Sequence, residues 1–233
     1  MSKQRGFTLI EIAIVLVIIG LLLGGVLKGQ ELITSARVRN LISLQDGIKA
    51  AYFGFLDRYR AVPGDYTQAT NNITGVAATA ACGNGNGNGN GRIEVAGNEH
   101  TLAWEHLSKA GFINGTYTCA GAVAATTNPT NPYAIPLQLV FDGVYGIASA
   151  GAVRHNLKTG NQIPVDIIAE VDRKVDDGQP YTGGFQFSVY TSGAGVAPTE
   201  SAAATPACTS DATTAARWNA INGSTNCGGA SLF

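Results

Sequence analysis

From Phe7 to Leu27 the chain is mostly apolar and carries one charge, Glu11. At about 1.5 Å of rise per residue, a helix of that length spans roughly 31 Å, the thickness of a bilayer's hydrocarbon core. Beyond Lys28 the pattern changes period without breaking. Leu32, Ile33, Ala36, Leu41, Leu44, Ile48, Tyr52, Phe55 and Tyr59 recur at steps of mostly three or four, the spacing of one helical face. Arg37, Arg39, Asn40, Asp46, Lys49, Asp57 and Arg58 mostly fall elsewhere, and Pro63-Gly64-Asp65 ends the run. The pattern predicts one helix of about 80 Å from Phe7 to Arg60. Its first half is apolar all round, and its second half is amphipathic and packs on a globular head. A soluble coiled coil is the competing reading, but it leaves most helix positions polar, whereas residues 12–19 and 21–23 are apolar throughout.

The rest of the chain predicts short elements. Residues 67–97 read as a loop. Glu99 to Ala110 reads as a helix with an apolar and a solvated face, capped by Gly111. Leu137–Ala148 is strand-like and broken by a hairpin signal at Asp142-Gly143. Pro164–Val175 reads as a helix with Pro164 at its first position, closed by Asp177-Gly178. Phe185–Thr191 alternates as a strand. From Gly193 the tail is rich in Gly, Ala and Thr.

Charge and cysteine content narrow the class. The net charge is −1 and the basic residues form no block, so no nucleic-acid partner is indicated. Charged residues make up 13% of the chain, against about 25% in ordinary soluble domains. Such a weakly charged surface suits a protein that packs against many copies of itself. The four cysteines, Cys82, Cys119, Cys208 and Cys227, form no C-x-x-C pair and fit two disulfides in an oxidising compartment. Three pairings are open. The shorter loops of Cys82–Cys119 and Cys208–Cys227 cost less closure entropy.

The N-terminus carries the most specific signal. Met-Ser-Lys-Gln-Arg-Gly precedes the apolar run, and Lys3 and Arg5 predict a cytoplasmic N-terminus. An ordinary secretory signal would close on small residues such as A-x-A, and no good site of that kind ends this segment. Glu11 is an expensive group within an apolar span, which marks it as functional by default. The run Gly6-Phe7-Thr8-Leu9-Ile10-Glu11 resembles the type IV prepilin signature, shared by type IV pilins and the pseudopilins of type II secretion systems. Tyr52–Tyr66 and Asp172–Pro180 resemble segments of such proteins more loosely.

The resemblance implies a leader at residues 1–6, cut between Gly6 and Phe7 by a membrane prepilin peptidase that also methylates the Phe7 amine. It implies a transmembrane and filament-core helix at 7–27, an amphipathic half at 28–62 and an extracytoplasmic head at 63–233 with a C-terminal disulfide loop. The implied fold is α+β and type IV pilin-like, a long helix packed on a small antiparallel sheet. Glu11 is expected to pair with the terminal amine of a neighbouring subunit during assembly. The implied partners are copies of the chain and other pilins, the peptidase, an inner-membrane assembly platform and membrane lipid. The implied location is the bacterial inner membrane before assembly and the cell surface or an extracytoplasmic filament after it. The function implied is a pilin, major or minor, with a pseudopilin as the alternative. Lys28 departs from the pattern of many major pilins, which carry proline near there. Gly20, Gly24, Gly25 and Gly29 supply local weakness instead, each costing about 1 kcal/mol relative to Ala.

Two further readings concern the head. Asn86-Gly-Asn88-Gly-Asn90-Gly91-Arg92-Ile93 has the spacing of the first half of an EF-hand loop, yet Gly97 stands where the closing Glu belongs. Asn86, Asn88, Asn90, Glu94 and Glu99 are the candidate calcium ligands, and an asparagine-turn loop without metal is the plainer reading. No other cofactor is expected. Enzyme chemistry has little to stand on: there is no G-x-S-x-G, Walker or zinc motif. Asp172, Asp176 and Asp177 read as a helix end and turn rather than catalytic carboxylates, and His100, Glu105 and His106 as parts of a packed helix.

Overall fold

Helix α1 spans Leu9–Tyr59. The computed structural model describes residues 8–147, 152–188, 207–211, 215–221 and 223–233. The chain divides into two compact units, Met1–Arg37 and Val38–Phe233.

In the first unit α1 is apolar on every side as far as Leu27, Glu11 apart, and none of that stretch is buried. Leu9 is 89% exposed and Leu27 67%. A helix with no polar face needs an apolar surround, lipid or protein. Gly20, Gly24, Gly25 and Gly29 do not interrupt it. Lys28 sits one turn before Glu31, with Nζ 2.7 Å from its carboxylate, in an exposed pair. Leu32 and Ile33, expected on the packed face, are exposed.

In the second unit the buried stripe begins at Val38 and continues through Leu41, Gln45, Ile48, Tyr52 and Phe55. Those steps of three and four keep one face inward. Among the described residues three further α-helices follow: α2 (Ala69–Asn72), α3 (Glu99–Lys109) and α4 (Val165–Val175). Four strands make one antiparallel sheet: β1 (Gln138–Asp142), β2 (Arg154–Lys158), β3 (Phe185–Phe187) and β4 (Gly229–Leu232). Their order is β1-β2-β4-β3, so the strand nearest the chain end lies between two earlier ones. Leu139 faces Leu157 across β1 and β2, and Phe185 faces Ser231 across β3 and β4. A long N-terminal helix with a small antiparallel sheet makes the fold α+β, with type IV pilin-like architecture.

The core has two main parts. One joins Ile48, Tyr52 and Phe55 of α1 to Trp104 and Leu107 of α3 and to Leu137, Leu139 and Leu157 at the sheet. The other joins Val38 and Leu41 to Ile167, Ile168 and Val171 of α4, to Phe185 and Phe187, and to Cys208, Trp218 and Cys227. Disulfides join Cys82 to Cys119 and Cys208 to Cys227.

Three local expectations change. Leu137–Ala148 is not one hairpin: β1 ends at Asp142, whose side chain accepts the Val144 N–H at 3.1 Å and turns the chain away. The partner strand is β2, whose buried Lys158 places Nζ 2.6 Å from the Asp142 carboxylate. The 67–97 stretch is ordered into α2 and two 3-10 turns, Ala80–Gly85 and Ala96–Asn98. Helix α3 has no solvated face over Glu99–Leu107, where every residue is buried. The expected strand Phe185–Thr191 is seen at β3, while 189–191 and Ala148 lie outside the described residues.

Candidate functional site

The helix start is built by a reciprocal pair. The Thr8 backbone N–H and hydroxyl both donate to Glu11 Oε2, each at 2.7 Å, and the Glu11 N–H donates to Thr8 Oγ1 at 3.4 Å. This is a capping box, which satisfies N–H groups that a first helical turn leaves without partners. The sequence carries its signature, Thr-x-x-Glu just before an apolar run. Glu11 is exposed at the start of a helix whose apolar side chains are also exposed. Gly6 and Phe7, the expected cleavage and methylation positions, lie outside the described residues.

The asparagine-glycine loop wraps a buried carboxylate. Asp65 Oδ1 accepts the Gly89 N–H at 2.6 Å and the Asn90 N–H at 3.1 Å, while Oδ2 accepts the Gly91 N–H at 2.6 Å. Glycine is needed where the loop lies against this turn, because a Cβ on Gly87 would fall 2.2 Å from the Asp65 Cα. The five calcium candidates are only partly brought together. Asn86 turns to Thr70, accepting its backbone N–H at 3.1 Å. Asn88 and Asn90 donate side-chain N–H groups to Glu94 Oε2 at 3.3 and 3.0 Å. Their own oxygens accept the N–H groups of Asn90 and Arg92 at 3.0 and 2.9 Å. Glu99 accepts the Asn88 and Glu94 N–H groups at 3.0 and 3.1 Å, and burial raises its carboxyl above the ordinary range.

Helix α3 braces this loop from beneath. Glu105 accepts the Ala77 N–H at 2.6 Å and the Cys119 N–H at 2.7 Å. His106 Nδ1 accepts the Gly64 N–H at 3.0 Å, so the proton must sit on Nε2, which donates to the Gly85 carbonyl at 3.0 Å. Burial drives this imidazole down to about 4, against the Gly85 hydrogen bond. His106 therefore holds the chain in place as a neutral, bridging side chain.

The C-terminal disulfide loop is pinned to α4. Trp218 Nε1 donates to Asp172 Oδ2 at 2.7 Å, and the Tyr181 and Thr209 hydroxyls share a 2.8 Å hydrogen bond. Burial pushes the Asp172 carboxyl up to about 7, with neighbouring Asp177 and Asp176 acting in the same direction.

The chain's first 27 residues match the family model of the prokaryotic N-terminal methylation motif, the prepilin-type cleavage and methylation motif. No curated protein and no solved structure matches the chain. The motif supports a type IV pilin or pseudopilin, a structural class rather than an enzyme family. The motif and the apolar helix together are consistent with a membrane-anchored precursor.

Proposed function

We propose that this chain is a pilin, a structural subunit of a type IV pilus or pilus-like filament. In this reading it is processed by prepilin peptidase and assembled from the bacterial inner membrane. The observation that carries it is the helix start: a matched methylation motif, then Glu11 at the mouth of a helix whose apolar side chains are exposed. Hydrolysis of the Gly6–Phe7 amide frees an α-amine four residues before Glu11. In the membrane the helix is covered by lipid. In the filament it is covered by the same helix of other subunits, and the amine and carboxylate of neighbours pair as water is excluded. An ion pair forming in an apolar setting is strongly disrupted when one partner is lost, so it sets the axial register.

Glu11→Gln separates this role from capping. Glutamine can still accept at the capping position but carries no charge. The expected outcome is normal processing, seen by mass spectrometry as an N-methylated Phe7 terminus, with sheared filaments reduced at least about tenfold. Filaments at the wild-type level would remove Glu11 from assembly, and an intact Gly6 before Phe7 in the mature protein would remove the reading altogether. Immunogold on long surface fibres separates a pilin from a pseudopilin, whose deletion would instead block export of folded proteins.

A further inference from the structure

The last turn of α4 and the bend after it bring three carboxylates together. Asp172, Asp176 and Asp177 each offer an oxygen within 4.8 Å of the others. Two ligands on one calcium ion, each about 2.4 Å from it, can stand no more than about 4.8 Å apart. The three oxygens therefore lie within the outer limit for ligands of one cation.

The second observation is Asp172 itself. The residue is 0% exposed, and its Oδ1 has no hydrogen-bond partner. Its Oδ2 is already taken by Trp218, and the Gly178 N–H, although close enough to favour the charged form, does not bond Oδ1. A buried carboxylate oxygen without a donor is costly, and native folds leave few of them.

The other two carboxylates are exposed but fixed. Asp176 Oδ2 accepts the backbone N–H groups of Gly184 and Phe185, the latter at 3.0 Å. Asp177 accepts the Gln179 N–H at 2.9 Å and the Thr182 hydroxyl. Nearby cations do not neutralise the group. Arg173 and Lys174 both reach Glu170, at 2.7 and 3.2 Å. Lys49 feels the charge of Asp176, but among the described residues no Lys or Arg forms an ion pair with any of the three aspartates.

From this geometry we propose that Asp172, Asp176 and Asp177 bind a divalent cation of the calcium class at the end of α4. An all-oxygen donor set favours a hard ion over zinc or copper. Three carboxylates leave room for water and backbone carbonyls to complete the six to eight ligands that calcium takes, whereas magnesium demands a tighter octahedron. The bound ion would relieve Asp172 Oδ1 and, through the Trp218 hydrogen bond, tie the C-terminal disulfide loop to α4. The inference rests on the head alone and stands apart from the filament reading. The competing occupant of Oδ1 is a proton.

The test uses the full chain in detergent, with calcium buffered by EGTA, and terbium as a luminescent substitute. Wild type should melt several degrees higher in millimolar calcium than in EGTA. It should also give terbium emission sensitised by Trp218 that excess calcium quenches. Asp172→Asn and Asp177→Asn should melt normally in EGTA yet lose both signals, and Glu94→Gln, in the asparagine-glycine loop, should keep them. Identical wild-type melting in calcium and EGTA would overturn the proposal in favour of the proton. Calcium shifts that persist in both aspartate variants would overturn it by placing the ion elsewhere.

Discussion

At the scale of single residues, the head is held by buried polar groups aimed at backbone. Asp65, Glu99, Glu105 and His106 are each at most 4% exposed, and each accepts from backbone N–H groups that would otherwise lose water without replacement. His106 gives this arrangement a pH signature. Its folded value of about 4 lies below the unfolded value of 6.5, so the unfolded chain binds more protons between the two. Its contribution is fully present above about pH 6.5 and is lost as pH falls through about 4, on the order of 3 kcal/mol at the limit. His100 and His155 are lowered by burial as well and add to the same slope, while Glu99, raised by burial, and above all Asp172, pushed by burial up to about 7, oppose it. Asp172 opposes His106 over the same range, so the imidazole is read by difference, from thermal midpoints of wild type and His106→Gln between pH 4 and pH 7. The slope of midpoint against pH should be less positive in His106→Gln than in wild type, and equal slopes would mean that the imidazole is not held neutral in the fold.

At the scale of elements, segments with weak intrinsic structure are fixed by cross-links and by contacts far along the chain. The Cys208–Cys227 bridge spans 19 residues and the Cys82–Cys119 bridge 37. Chain entropy assigns them about 3 and about 4 kcal/mol. Cys208→Ser/Cys227→Ser should lower stability by about 3 kcal/mol in denaturant titrations and release Trp218 toward solvent, with red-shifted emission. A change below about 1 kcal/mol would mean that the Trp218–Asp172 bond and the Ile163–Cys227 backbone pair hold the loop alone. These elements also mark where local sequence stops being informative. Helix α4 was legible because its apolar positions repeat within one segment. Strand β2, Arg-His-Asn-Leu-Lys, was not, because Lys158 is buried only by virtue of Asp142 across the sheet. Strand β4 was missed because Gly-Ala-Ser-Leu carries little pattern, and its place between β2 and β3 is set by long-range pairing. The solvated face expected of α3 failed for a similar reason: Glu99 and Glu105 point at loops, a use that charge alone does not reveal. The EF-hand-like spacing has a local use as well, since its glycines allow three N–H groups to close on Asp65.

At the scale of the whole molecule, the chain is written for two surroundings. No described residue before Val38 is buried, and every buried core residue and both disulfides lie from Val38 onward. The first unit was the most legible part of the sequence, because a membrane-length apolar run and a linear motif need no tertiary context. The second was legible in class but not in topology. This division makes a prediction about solubility. A chain beginning at Val38 keeps the stripe Val38, Leu41, Ile48, Tyr52 and Phe55 that packs the core and sheds the exposed apolar stretch of residues 9–27. It should be monomeric without detergent, form both disulfides, and melt within a few degrees of the full chain in detergent, since every buried core residue is kept. The full chain should require detergent or lipid, because an apolar surface of that extent drives association in water. Gel filtration, thiol counting and melting curves on the two chains check this together. Aggregation or free thiols in the shorter chain would mean that the head draws stability from residues before Val38.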